Sequence, residues 1–385
     1  MANAFILPRI TYHGLGSLEK LKEIDGKTAV IVTGGNSMEK SGVLDNARKY
    51  LKENSIESSI FDSVEPDPSL ETVMKGVEWI KEKQPDIIIG LGGCSAIDAA
   101  KAMWVFYEHP NTKFEDIIPP FTIKPLRRKA KFVAIPSTSG TGTEVTCVSV
   151  ITDRDKGVKH PLVSYELTPD IAIVDGAICK TMPKHVTAYT GFDALSHCVE
   201  AYASIYADFY TSPLAKKSIE MIFKSLRKAY HMPDDLNARQ MMHDASCLAG
   251  MAFTNALLGI LHAMAHQLGG MFGIPHGCAN AILMPNVIRY NSKVTNRYIY
   301  LARLLGKTTT EGFVQEIEKL RDAVEVESSI KECGISEEDW NNKIDEITTN
   351  AMNDACCGAN PRKPTRENIK NIFNACYLGT RIYWD

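Results

Sequence analysis

The chain has 385 residues, of which 44% are hydrophobic and 23% charged, and a net charge of −3. That length is long for one core, so two domains are expected. The near-neutral charge offers no basic field to nucleic acid, and no apolar run reaches the ~18 residues of a spanning helix. The ten cysteines show no C-x-x-C spacing and read as reduced thiols of a cytoplasmic protein. The opening MANAFILPRITYHG lacks the basic and apolar regions of a secretory leader.

Strand-like and helix-like segments alternate through the first half. KTAVIVTGG (27–35) is apolar, β-branched and ends in glycines; after a helical stretch come IESSIFD (56–62) and a helix to about Gln84. DIIIGLGG (86–93) is wholly apolar, as in a buried parallel strand, and is followed by a helix from Ser95 and a strand at KFVAIPS (131–137). This order predicts an α/β domain with a mostly parallel, Rossmann-like sheet over 1–185, whose ligands bind beyond the strand carboxyl ends. From about His185 long helical patterns take over, and 186–385 reads as an all-helical domain.

Three strand-end segments are candidates for holding a nucleotide. GLGGCSAIDAAK (90–101) follows a strand and opens a helix, so its backbone amides suit a diphosphate; the alternative is a capping box from Ser95 to Asp98. PSTSGTGTEVT (136–146) is rich in hydroxyls and glycine, and its alternative is a plain turn. At VTGGNSMEKSG (32–42), Gly34 and Gly35 stand where an NAD site often places an acid, with Ser37 and Lys40 nearby. That open space suits the 2′-phosphate of NADP; the alternative is ordinary helix-end charge.

In the second half, HAMAHQLGGMFGIPHG (262–277) holds three of the ten histidines. His262 and His266 are four apart and share a helix face, and His276 arrives on a tight Pro-Gly segment. TGFDALSHCVEAY (190–202) adds Asp193 and His197, again four apart. One carboxylate with three imidazoles suits Fe(II), Zn(II) or Mn(II) better than a thiolate-preferring ion. Spacing leaves open whether His266 is a further ligand or a neighbour.

These residues resemble the iron-containing (group III) alcohol dehydrogenases along nearly the whole chain. The family's G-G-G-S-x-x-D-x-A-K is similar to Gly92–Lys101, its P-x-T-x-G-T loop to 136–141, and its T-G-x-D-A-L-x-H to 190–197. Its H-A-M-A-H and P-H-G-x-A-N-A resemble 262–266 and 275–281, and DACCGANPRKPT is similar to its D-x-C-x-x-x-N-P-R. KAMWVFYEHP (101–110) looks closest to the NADPH-dependent butanol dehydrogenases and to the alcohol dehydrogenase part of fused aldehyde–alcohol dehydrogenases.

The resemblance implies a dehydroquinate synthase-like architecture, with metal ligands Asp193, His197, His262 and His276 and with His266 beside nicotinamide and substrate. It places Gly34, Gly35, Asn36, Ser37, Gly92, Gly93, Cys94, Ser95, Asp98, Ser137, Thr138, Thr141, Thr146 and Lys159 around the cofactor. Cys94 departs from the family, which usually has a third glycine there; a positive φ at that residue would cost about 1 kcal/mol or more.

The implied chemistry is reversible hydride transfer between NADP(H) and a short-chain primary alcohol or its aldehyde, in a cleft between the halves. Fe(II) supplies Lewis acidity, and His266 with water handles the proton. A homodimer or larger homo-oligomer is implied, with no nucleic-acid or membrane partner. The nearest rival is a zinc-dependent glycerol or diol dehydrogenase using NAD, which typically lacks the histidine four after the aspartate. The others are a non-catalytic nucleotide- or metal-binding sensor and a metal-stabilised structural protein.

Overall fold

The structure, a computed structural model, describes residues 4–384; the first three residues of the stretch read above for a leader lie outside it. The chain divides into two compact units, one of residues 1–138 and 142–182 and one of 139–141 and 183–385. The short segment 139–141 thus leaves its sequence neighbours and packs with the helical unit.

In the first unit the elements run β1 (Ile10–His13), β2 (Thr28–Val32), α1 (Ser37–Lys40), α2 (Val43–Glu53), β3 (Glu57–Phe61), α3 (Leu70–Lys83), β4 (Ile87–Gly92) and α4 (Cys94–Glu108). There follow α5 (Phe114–Ile117), β5 (Lys131–Pro136), a hairpin of β6 (Val148–Asp153) and β7 (Val158–Val163), and β8 (Ile171–Val174). Six strands form a parallel sheet in the order β1-β8-β5-β4-β2-β3. β1, the hairpin and β8 go beyond the four strands read from the sequence.

Successive residues of a strand point to opposite faces, and both faces here are covered. Val30, Val32, Ile88, Phe132 and Ala134 join a core with α3 and α4 through Val77, Ile80, Ile97 and Trp104. Ala29, Ile31, Ile87, Ile89, Leu91, Val133 and Ile135 join another with α2 through Leu44, Ala47 and Leu51. The chain moves from β2 outward to β3 across one face, then returns over the other face to β4 on the opposite side of β2. The order therefore reverses between β2 and β4, and the crevice at their carboxyl ends is where such sheets bind ligands.

The second unit is helical: α6 (Lys184–Ala203), α7 (Thr211–His231), α8 (Leu236–Ala256), α9 (Ile260–Phe272), α10 (His276–Asn291), α11 (Arg297–Leu304), α12 (Thr310–Ala323), α13 (Glu337–Asn353) and α14 (Arg366–Leu378). α6 packs against α7, α8 and α10, and residues 191–203 are all buried. Among the described residues no single helix is long and apolar enough to cross a membrane; α8 and α9 together pass by composition but are bent by 110°.

Candidate active site

Three helices of the second unit bring the histidine and aspartate motifs together. α6 carries Asp193, His197 and Glu200 along one buried face, at the i, i+4 and i+7 spacing of helix neighbours. α9 carries His262 and His266, and the helix persists through both following glycines to Phe272. His276 is the first residue of α10, with Pro275 before it, so it stands in a helical first turn rather than in a loop.

Ligand atoms of Asp193, His262 and His276 all lie within 4.8 Å of one another. His276 Nε2 is 3.4 Å and His262 Nε2 4.0 Å from Asp193 Oδ1. His197 Nδ1 is 3.9 Å from the same oxygen, and the His197 ring stacks between Phe253 and His262 at centroid distances of 4.2 and 4.5 Å. Asp193, His197 and His262 are buried while His276 is 38% exposed, which leaves the cluster open on one side, as catalytic metal sites are.

The polar atoms show what this cluster lacks. His197 Nδ1, His262 Nε2 and Asn280 Oδ1 are buried without a hydrogen-bond partner, which is costly in a pocket meant to stay as it is. Burial keeps the His197 and His262 pKa values well below the ordinary range, so both rings are neutral and hold a lone pair. Burial also pushes the Asp193 carboxyl up to about 7, against the hydrogen bond from the Asn280 amide. A divalent cation would answer the two nitrogens and the carboxylate: it would take the imidazole lone pairs and favour the charged form of Asp193.

Two residues absent from the sequence reading support the ligands. Glu200 Oε2 lies 2.6 Å from His262 Nδ1, and its other oxygen accepts the Leu261 N–H at 2.7 Å. With Nδ1–H given to Glu200, the lone pair of His262 is on Nε2, facing Asp193. Asn280 holds Asp193 Oδ1 at 3.1 Å. The sequence signal for Glu200 was its place on the Asp193–His197 helix face; for Asn280 it was the family-like P-H-G-x-A-N-A segment. His266 is 43% exposed and gives Nδ1–H to Asp354 Oδ2 at 2.8 Å, while its ring stacks on that of His276 at 5.5 Å.

The nucleotide candidates of the first unit meet at the reversal point. Gly34, Gly35, Asn36 and Ser37 follow β2, and Gly92, Gly93, Cys94 and Ser95 follow β4. Thr138, after β5, lies close enough to Gly93 that a Cβ there would meet its methyl at 3.7 Å; Ser137 N bonds to Gly92 O at 2.8 Å. Thr141 is in the segment that packs with the helical unit. Lys159, on β7, pairs with Asp67 Oδ1 at 2.6 Å, and the Asp67 N–H is accepted by Ser95 Oγ.

Several readings change in detail. α4 begins at Cys94 with Gly93 as its cap and no side-chain cap bond, so Ser95 and Asp98 form no capping box. The positive φ falls on Gly92, at 145°, and not on Cys94, which costs no strain. Gly34 is glycine for an internal reason: a Cβ there would meet the Val64 carbonyl oxygen at 2.2 Å. The open position is Gly35, at φ 60° with nothing near its missing Cβ. Asp98 and Thr146 are turned inward: Asp98 accepts from Thr143 Oγ1 and Val150 N, and the buried Lys101 Nζ bonds Thr146 Oγ1 and three carbonyls. Both tie α4 to the hairpin.

Residues 8–176 match the family model of iron-containing alcohol dehydrogenase, and residues 187–377 match that of the Fe-containing alcohol dehydrogenase family, C-terminal. The chain belongs to the iron-containing alcohol dehydrogenase family. It is 50% identical to an NADPH-dependent butanol dehydrogenase of Clostridium saccharobutylicum, over 98% of this chain and 99% of that one. A solved 1,3-propanediol oxidoreductase superposes with a TM-score of 0.92 at 33% identity, covering 98% and 100% of the two chains. The iron-containing alcohol dehydrogenase of Thermococcus thioreducens does so with a TM-score of 0.91 at 34%, covering 98% and 100%. As an iron-type alcohol dehydrogenase, the protein is an oxidoreductase with an α/β unit and a helical unit.

Proposed function

We propose that this alcohol dehydrogenase catalyses reversible hydride transfer between NADP(H) and a short-chain primary alcohol or aldehyde of the butanol/butyraldehyde kind. We assign a divalent metal, Fe(II) foremost and Zn(II) or Mn(II) as substitutes, to Asp193, His197, His262 and His276. The observation that carries this is the pair of buried, unpartnered imidazole nitrogens beside the Asp193 carboxylate. When bound, the metal supplies Lewis-acid polarisation of the substrate oxygen.

The rest is the work of the chain. Glu200 fixes the His262 tautomer, and Asn280 orients Asp193. His266, held by Asp354 through Nδ1, has Nε2 available to exchange a proton with the alcohol oxygen through water. The amides at the start of α4 suit a diphosphate. Exposed Gly35, with Lys40 close in sequence, suits a 2′-phosphate. The NADPH dependence in the name of the 50% identical relative supports the same cofactor. Ten cysteines without a C-x-x-C spacing support a reducing, cytoplasmic setting.

The likeness to a 1,3-propanediol oxidoreductase favours a second reading, a diol substrate with NAD. Protein purified anaerobically with Fe(II) and assayed with butyraldehyde against NADPH and NADH separates them. Fast NADPH oxidation and slow NADH oxidation support the proposal. A preference for NADH with 1,3-propanediol over butanol in the reverse direction replaces it with the second reading. No turnover by iron-loaded protein removes both.

A further inference from the structure

His266 and Asp354 have a third neighbour. An imidazole nitrogen of His266, a carboxylate oxygen of Asp354 and the Cys356 thiol all lie within 4.8 Å of one another. None of the three is among the four ligands assigned above. Asp354 caps the short 3-10 turn Ala355–Ala359, and its Oδ1 accepts the Cys356 N–H at 2.9 Å, so one turn presents carboxylate and thiol together. His266 reaches them from the middle of α9 with Nδ1 2.8 Å from Asp354 Oδ2. The cluster is open to water through His266, which is 43% exposed, while the Asp354 side chain is 16% exposed and Cys356 half-buried.

We propose that His266, Asp354 and Cys356 form a second divalent-cation site, selective for a thiophilic cation such as zinc(II). Its donors are one nitrogen, one oxygen and one sulfur, against one oxygen and three nitrogens in the first site. A thiolate favours zinc or cobalt and disfavours magnesium, calcium and manganese. Three protein ligands leave one tetrahedral position for water. On binding, the Cys356 S–H bond breaks, a sulfur–metal bond forms and that proton passes to solvent, while the His266 ring proton moves from Nδ1 to Nε2 so that Nδ1 can give its lone pair to the cation; no electron moves. With zinc–ligand bonds of about 2.0–2.3 Å, neighbouring donors on a tetrahedral ion stand roughly 3.3–3.7 Å apart, so His266 Nδ1 and Asp354 Oδ2, now 2.8 Å apart, open slightly around the cation, and the exposed His266 ring is the one free to move.

The stacked rings of His266 and His276 put the two cations close, so mutual repulsion makes the second bind more weakly than the first. The second cation also engages the imidazole that the hydride-transfer reading uses for the proton. On that reading, it inhibits.

Holoenzyme carrying one equivalent of zinc(II) is titrated anaerobically with cobalt(II) and followed by its near-ultraviolet sulfur-to-cobalt charge-transfer absorption. One further equivalent with that band is expected. Cys356→Ser should lose the band with an unchanged melting temperature of the one-zinc form, and Asp354→Asn should weaken binding by tenfold or more, read well below the melting temperature of both proteins. Uptake without the band, a band that survives C356S, or no uptake overturns the site. If C356S does not fold, the Asp354→Asn comparison and blockage of wild-type Cys356 alkylation by zinc(II) decide; unprotected Cys356 overturns it. In parallel, excess zinc(II) should reduce NADPH oxidation at least tenfold in wild type. A bound, thiolate-ligated cation without inhibition upholds the site and removes the proton-transfer role of His266.

Discussion

The cluster on α6, α9 and α10 and the crevice between β2 and β4 are built from opposite materials. The first is made of side chains: a carboxylate, three imidazoles, and the Glu200 and Asn280 that aim them. The second is made mostly of backbone: glycines that allow close approach, amides at a helix start, and a strand order that reverses between two ends. A side-chain site announces itself by residue type and spacing, whereas a backbone site depends on which strand lies beside which. The first should fail sharply when one atom is changed, and the second should tolerate changes that keep its backbone.

The largest effect tests the first half of that contrast. Asp193→Asn keeps size and shape but removes the only carboxylate of the proposed set. Since Lewis-acid stabilisation is worth several kcal/mol, kcat/KM should fall by on the order of 10³-fold or more, with iron lost from the purified protein. A variant with full iron and full rate breaks the assignment. Next comes Glu200→Gln. Burial pushes the Glu200 carboxyl up to about 7, against the N–H groups of Gly259 and Leu261, so this group is poised between charge states. Its loss should weaken metal retention or activity by roughly 10–100-fold, read by competition with a chelator. An unchanged affinity reduces Glu200 to a packing residue.

The same contrast explains what could be read in advance. The alternating α/β half was legible because β4 is a run of buried isoleucines, and the helical half because of its apolar periodicity. β8 was missed: four residues between turns give no period to detect. The hairpin strand β6 does alternate buried and half-buried residues, but it is short and follows directly on the hydroxyl-rich segment 136–146 that reads as loop. The four proposed ligands were visible as residue types. Glu200 was not singled out, because a glutamate on a helix is normally a solvated surface residue, and only the fold buries this one against His262. Gly34 reads in the sequence as room for a ligand, whereas the Val64 carbonyl that requires it comes from the segment just after β3, which no local pattern shows.

Asp354 gives a smaller effect with a defined pH dependence. Burial pushes its carboxyl up, but the hydrogen bond and charge of His266 and the Cys356 N–H outweigh this and hold it at about 2. A carboxyl depressed on folding stabilises the folded chain fully above its unfolded value, near 3.9, and loses that contribution as pH falls through the folded value. The shift is worth on the order of 2 kcal/mol. Asp354→Asn should therefore melt below wild type at pH 6, and the gap should close from about pH 4 toward pH 2. A gap that persists at the acid end places the contribution of Asp354 in neutral hydrogen bonding.

The smallest effect is expected at Cys94, where the backbone site faces its strongest challenge, because the family's usual glycine is absent. Cys94 opens α4 without a positive φ, so the residue itself has no need of glycine. Its Sγ reaches Asp98 Oδ2 at 3.5 Å, a contact directed toward the carboxylate that ties α4 to the hairpin. The amide, which is what a diphosphate would use, is the same with either residue. Cys94→Gly should change stability by less than about 1 kcal/mol, since glycine at a helix start loses little that the cap does not already supply. The KM for NADPH should stay within about threefold, a shift of under ~0.7 kcal/mol. A tenfold fall in KM on removing the thiol would show that the side chain crowds the diphosphate, and the crevice would then owe its selectivity to a side chain after all.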